Sequence, residues 1–372
     1  MLTVLIFIII LGLLVFVHEL GHFLVARRNG VMAEEFGFGF PPRIIGLYKG
    51  KNGKRRVIWG SKDVESEDTV YSLNWIPLGG FVKITGEDGE EKNNPKSFAS
   101  KSAWARIRML AAGVAMNFLL AAALLSAGYF VGIPQAVEDA AGGNLKNEKI
   151  QILETVPGSP AEAMKIQVGD QIAGAVDEGG NFLQFGTIEE VQNFINVRKG
   201  RSITLEIKRG NESLKFSGVP RSEYPESEGA LGISLVKTAE VSYPWYEAIW
   251  RGVKTTYDLA IMIVVAFGNL LWRLVAGQPV GMDVSGPVGI AVLTGQVAKL
   301  GFIYILQFTA LLSINLAIIN ILPIPALDGG RILFILVEKF KGSPVSQKFE
   351  QRAHNIGFAL LITLMVLVTV RD

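Results

Sequence analysis

The 372-residue chain is 49% hydrophobic and 19% charged, carries a formal net charge of +2 at pH 7, and has a mean hydropathy of +0.35. That balance is apolar for a soluble protein and offers no excess of either charge to nucleic acid or an acidic partner. With no cysteine in the sequence, disulfides, thiolate metal ligands and a cysteine nucleophile are excluded.

The apolar residues gather in runs. The first, Leu2 to Val25, is long enough to cross a hydrocarbon core of about 30 Å at roughly 1.5 Å per residue. It is too long for a signal peptide and has no basic stretch before it, so it predicts a retained span within residues 1–30. Inside it lies Val17-His18-Glu19-Leu20-Gly21-His22. The chain has three histidines, and these two, four positions apart, share one helix face a turn apart. Glu19 borders the same face. Ionisable groups are costly at membrane depth and mark a protected polar site. The HExxH spacing points to zinc, with His18 and His22 as neutral ligands and Glu19 as base for a metal-bound water. Arg27-Arg28 close the run on the cytoplasmic side, which leaves the N-terminus outside.

Residues 31–100 lose the helical period. Phe36-Gly37-Phe38-Gly39-Phe40, Val57-Ile58-Trp59 and Phe81-Val82-Lys83-Ile84 alternate between breakers at Pro41-Pro42, Asn52-Gly53 and Pro77-Leu78-Gly79-Gly80. This predicts a small curved sheet or pair of hairpins at the membrane surface. Gly37 and Gly39 admit two readings, an edge open to strand addition or a bend. After a polar loop from Gly86 to Asn94, the cations Lys101, Arg106 and Arg108 precede a second span within residues 101–133, running outward. Ala111-Ala112-Gly113 and Ala121-Ala122-Ala123 suit close helix packing. Asn117 reads as packing glue or as a bond to a helix near the metal.

Residues 134–240 are charged and glycine-rich, which predicts a soluble domain on the outer side. Strands are expected at Ile152–Val156, after Val168-Gly169-Asp170-Gln171-Ile172, and at Ser202–Lys208. Helices are expected at Ala161–Met164 and Ile188–Val197. The run VPGSPAEAMKIQVGDQI resembles the core of a bacterial protease-type PDZ domain. Gly229-Ala230-Leu231-Gly232-Ile233 is similar to its carboxylate loop, displaced to the end as in a circular permutation. The likeness implies contact with trimmed chain ends by strand addition, or a bulky gate.

In residues 241–300, Trp245, Trp250, Arg251, Lys254, Asp258, Trp272 and Arg273 hem in an apolar run of about 14 residues, short of a span. An amphipathic helix lying in the interface, followed by a linker, is expected. Phe302 to Ile324 reads as a span whose end is broken by Pro323 and Pro325, tolerated only where protein or a wet cavity surrounds the backbone. Asp328 follows. Alone it would be a turn or helix N-cap; beside an HExxH it completes a two-His, one-carboxylate zinc set. His354 is the rival third ligand. For Asp328 to reach His18 and His22, the span in residues 301–330 must run the same way as the first. One span between them achieves this, so residues 245–276 should not cross. Lys339, Lys341, Lys348 and Arg352 mark the cytoplasmic side, and a last span at 356–370, within residues 331–372, leaves the C-terminus outside.

HELGH on a first span, FGFG, IPLGG, KSAWARIRMLAAGVAMNF, the PDZ core, SGPVGI and NLAIINILPIPALDGGR together resemble the site-2 protease family of intramembrane zinc metalloproteases. The nearest branch is that of the bacterial regulator-of-sigma-E protease, and the likeness covers nearly the whole chain. It implies a polytopic α-helical membrane protein with four transmembrane helices, a membrane-associated β-hairpin or sheet region and one extracytoplasmic PDZ domain, in the inner (plasma) membrane. It implies Zn2+ held by His18, His22 and Asp328, with Glu19 as catalytic base. Gly37, Phe38 and Gly39 match the family's substrate strand, and Asn315 and Asn320 match asparagines lining its site. The implied partners are the bilayer and single-span membrane proteins, such as an anti-sigma factor or remnant signal peptides. Two departures stand out: one PDZ domain where this branch commonly has two, and Val114 where many members have proline. The other classes weighed are a zinc transporter, for which the chain offers no second station, and a metal-free scaffold.

Overall fold

The computed structural model describes residues 2–50, 53–62, 64, 66, 68–89, 91–137, 146–177, 179–210, 212–225, 228–278, 286–343 and 345–371. Ser285 of the SGPVGI segment, Asn52 and Glu90 lie outside them. The chain divides into two compact units: residues 1–126, 249–298 and 305–372, and residues 127–248 with 299–304.

In the first unit, the opening apolar run forms α1 (Leu2–Arg28). The sheet that follows has three strands, β1 (Ala33–Lys49), β2 (Arg55–Trp59) and β3 (Val70–Ile84), in the order β2-β1-β3. β3 folds over so that both of its halves pair with β1: Gly37 lies opposite Phe81 on one side and Ser72 on the other. Its bend at Gly79 and Gly80 sits directly on Val15 and Phe16 of α1. The second helix, α2 (Ala103–Val131), packs so tightly on α1 that a side chain at Gly21 would strike the Ala112 carbonyl. Small residues permit this contact, as expected where dispersion rather than water exclusion holds helices together. Ala26, Met109 and Leu110 are buried together at one end of this helix pair.

Five further helices follow from residue 245: α5 (Trp245–Val275), α6 (Pro287–Leu300), α7 (Phe302–Ile321), α8 (Asp328–Lys341) and α9 (Gln347–Arg371), numbered after two short helices of the second unit. Among the described residues, five helices are long and apolar enough to cross a membrane: α1, α2, α5, α7 and α9. The sequence predicts four, with the apolar part of α5 limited to about 14 residues. Arg251, Lys254 and Asp258 interrupt the hydrophobicity without breaking the helix, which runs for 31 residues. Leu259, Ala260 and Ile263 of α5 pack against a buried cluster from α2 and α7, while most of the helix is exposed. Gly295 of α6 meets Thr3 in the first turn of α1. α9 begins nine residues before the expected Ile356, because a charged turn continues the helix beyond its apolar part.

The second unit is an antiparallel sheet in the order β4-β10-β5-β6-β8-β9, with β7 on β6. Its strands are β4 (Ile133–Ala136), β5 (Lys146–Thr155), β6 (Gln171–Val176), β7 (Phe182–Gln184), β8 (Ile203–Arg209), β9 (Glu212–Gly218) and β10 (Ile233–Val241). Two helices, α3 (Pro160–Ala163) and α4 (Ile188–Val197), accompany it. α4 starts in a capping box in which Thr187 and Glu190 satisfy each other's backbone donors. Ile152, Ile172, Leu205, Ile207, Val191 and Leu231 fill the core between sheet and helix.

Candidate active site

His18 and His22 come from α1, Asp328 from the first turn of α8, and they converge. His18 Nε2 lies 3.0 Å and His22 Nε2 3.3 Å from Asp328 Oδ2, and the two Nε2 atoms are 3.1 Å apart. Two tetrahedral ligands at the usual bond lengths of about 2.0–2.1 Å would be about 3.3 Å apart. The observed triangle is already that size. Both imidazoles are buried, at 6% and 7% exposure.

The chemistry of the donor set also fits a cation. His22 Nδ1 donates to the Met109 carbonyl at 2.9 Å, so its Nε2 carries a bare lone pair. Asp328 Oδ2 is buried and, among the described residues, receives no directed hydrogen bond. His22 Nε2 and Asp328 Oδ2, two acceptors 3.3 Å apart, repel one another unless a positive charge or a proton sits between them. The space beneath the rings is defined by Gly113. A methyl group there would stand 2.7 Å from His18 Cε1 and closer still to His22 Nε2.

One face of α2 supplies this floor. Met109, Gly113 and Asn117 are four apart, so they form a single stripe. Met109 reaches His22, Gly113 underlies both rings, and the Asn117 amide lies 3.3 Å from His18 Nδ1. Asn117 is fully buried, and its carbonyl accepts a bond from Ser313 Oγ of α7 at 2.8 Å. Asn117 and Gly113 thus do more than pack helices.

Asp328 is placed by a tight loop. Gly329 and Gly330 lie against the carbonyls of Ile321, Leu322 and Ile324, where side chains would collide. Leu327, not Asp328, occupies the N-cap of α8, so the carboxylate is not spent on capping. His354, the rival ligand, serves the loop instead. Its Nδ1 accepts the Ala326 N–H at 2.8 Å, and Gly357 beside it lies against Pro325. Ala326 has φ +81, a left-handed conformation that an alanine holds only with outside support. Arg331, one turn along α8, pairs with Glu87 of the loop after β3.

Above the triad is a cavity of about 180 Å³ lined by Val15, His18, Glu19, Leu316, Asn320, Ala326, Leu327 and Asp328. Glu19 and Asn320 therefore share the space with the candidate ligands. Asn315 is not among the lining residues.

A model of peptidase family M50 matches residues 6–364. The chain belongs to peptidase family M50. It is similar throughout its length to the regulator of sigma-W protease RasP of Bacillus subtilis, 30% identical over 450 aligned positions covering 100% of this chain and 98% of that protein. The zinc metalloprotease RasP of Oceanobacillus iheyensis is likewise 30% identical, covering 100% and 99%. That of Geobacillus kaustophilus is 29% identical over 98% and 96%. As an M50 peptidase with long apolar helices, the protein is a membrane metallopeptidase.

One expectation needs correction. Gly37, Phe38 and Gly39 are not an open edge, because β1 has strands on both sides there. A side chain at Gly37 would meet Ser72, Asn74 and Phe81, while Gly39 has φ +82 and faces the Ile76 carbonyl. The glycines serve a close internal crossing and a bend. Phe38 packs on Phe16 of α1.

Proposed function

We propose that this M50 peptidase is an intramembrane zinc endopeptidase that cuts the transmembrane segments of single-span proteins. The observation that carries this reading is the meeting of His18, His22 and Asp328, with Glu19 lining the same cavity as His18 and Asp328. His18, His22 and Asp328 would hold the ion. Zinc so bound would supply a Lewis acid and a water that is readily deprotonated. Glu19 would serve as the general base and then the general acid, holding a proton until it passes to the leaving amine. Asn320, which lines the same cavity, donates its amide to the substrate backbone or to the developing oxyanion.

A cavity of about 180 Å³ is too narrow for an α-helix roughly 10 Å across, so the substrate enters unwound. The sheet offers a template. The Gly80–Ile84 half of β3 pairs with β1 on one side only among the described residues, and it begins beside Val15 of the cavity wall. Strand addition belongs there rather than at Gly37–Gly39.

In this reading α1, α2, α7 and α9 span the plasma membrane, and α5 lies in the interface. The meeting of Asp328, just past the end of α7, with His18 and His22, late in α1, supports it, since a crossing by α5 would bring the other end of α7 to that side. Arg27, Arg28, Lys101, Lys339 and Lys341 face the cytoplasm, and both termini lie outside. The domain at 134–240, also outside, is a PDZ domain. Supporting this, residues 233–236 of β10 pair with a strand on one side only among the described residues, near α4, where an extended chain end would lie. The name of the B. subtilis relative suggests that the substrate class includes regulators of a sigma factor. Purified protein in vesicles should cut a transmembrane reporter inside its apolar segment, and Glu19→Gln should bind zinc yet cut nothing. Full cleavage by that variant would overturn the reading.

A further inference from the structure

Asn117 contributes something beyond close packing. Its amide is 3.3 Å from His18 Nδ1, and it is the only side-chain contact that ring nitrogen makes among the described residues. The polarity of this contact decides which nitrogen of His18 carries the proton. With the amide N–H toward Nδ1, the proton must sit on Nε2, which points into the triangle and blocks an ion. With the amide oxygen toward it, Nδ1 carries the proton and Nε2 presents a lone pair. A half-turn of the amide exchanges the two without changing shape.

We propose that Asn117 is the positioning residue that sets the tautomer of His18, and that its oxygen end faces His18 when the metal site is filled. This rests on the zinc reading of the triad. The matching contact on the other ring runs to a backbone carbonyl, Met109 O, which can only accept. His22 is therefore locked in the ligating tautomer, whereas His18 depends on an amide that can face either way. In the arrangement described above, Asn117 Oδ1 is buried without a partner. Reversal would give that oxygen the His18 N–H. Ser313 Oγ holds the backbone of Asn117, not its side chain, so the amide is free to turn while α2 and α7 stay joined. Orienting groups of this kind commonly change metal affinity about 10- to 100-fold.

The test compares wild type, Asn117→Asp and Asn117→Leu in detergent, titrating zinc against a chelator. Aspartate can only accept, and should bind zinc at least as tightly as wild type. Leucine keeps the volume but offers no acceptor, and should bind about 10- to 100-fold more weakly. A packing role predicts the opposite order, because a buried carboxylate would disturb the helices more than leucine does. Independently, nitrogen NMR of histidine-labelled wild type, with only three imidazoles to assign, should show a protonated Nδ1 on His18 after zinc loading. Wild-type affinity in the leucine variant, equal losses in both variants, or an unprotonated His18 Nδ1 in the loaded protein would each overturn the proposal. Absence of zinc binding by wild type would instead remove the zinc reading on which it stands.

Discussion

Replacing Gly113 by alanine perturbs the triad without touching any ligand. The added methyl would stand 2.7 Å from His18 Cε1 and 2.8 Å from His18 Nε2, and nearer still to His22 Nε2. Non-bonded heavy atoms settle at about 3.5–4.0 Å, so the rings must retreat by about 1 Å. Retreat draws both buried rings away from Met109 and Asn117, which contact their Nδ1 atoms from the same stripe of α2. Metal–ligand distances tolerate only about 0.2 Å. Overpacking of this kind costs about 1–3 kcal/mol, which, expressed in metal affinity, is roughly 5- to 150-fold. The assay is zinc titration against a chelator, with thermal melting of the metal-free chain alongside. Gly268→Ala on α5, where nothing lies within 4 Å of the new methyl, is the control and should leave affinity unchanged. Wild-type zinc affinity in Gly113→Ala would refute the described floor of the site.

His354→Ala removes the acceptor of the Ala326 N–H, at a cost of about 1–3 kcal/mol, and should weaken zinc binding while leaving the helices folded; unchanged affinity would show that the loop needs no such support. In the second unit, Asp170 is 2% exposed and accepts two 2.7 Å bonds from Arg209. Asp170→Ala should cost about 3 kcal/mol, the low end for a broken buried pair because Arg209 is partly exposed. Amide exchange should then accelerate in β5, β6 and β8 and nowhere in α1, and a uniform rise would refute the local role of the Asp170–Arg209 pair. Cysteines placed at Thr255 and Val275 should react with an impermeant reagent from the same side of the membrane. Labelling from opposite sides would make α5 a fifth span.

How much of this was legible in the sequence depends on the range of the interactions involved. HExxH is a local pattern, and the helix period alone places His18, Glu19 and His22. The bounds of α4 are equally local, written by the Thr187 cap and its apolar stripe. Asp328 became legible only because the histidines lacked a third ligand. By contrast, the sides of Gly37 are set by strands 35 and 44 residues away in sequence, at Ser72 and Phe81, and no local pattern reveals that both are occupied. Asn117 and Gly113 show the same limit. The spacing Met109, Gly113, Asn117 announces a face, but what the face touches is decided by the crossing of α1. A lone amide in an apolar span was the signal available, and cost alone argued for a function. α6 was missed because its glycines and the proline before it read as a linker, whereas its contact with Thr3 is tertiary.

The most direct measurement is zinc content and X-ray absorption on protein purified without chelator, for wild type and Asp328→Ala. Wild type should hold about one zinc per chain, bound by two imidazole nitrogens and a carboxylate oxygen, with Asp328→Ala largely empty. A zinc-free wild type, or an Asp328→Ala chain with the same zinc and the same ligand shell, would contradict the convergence of α1 and α8 on a single ion.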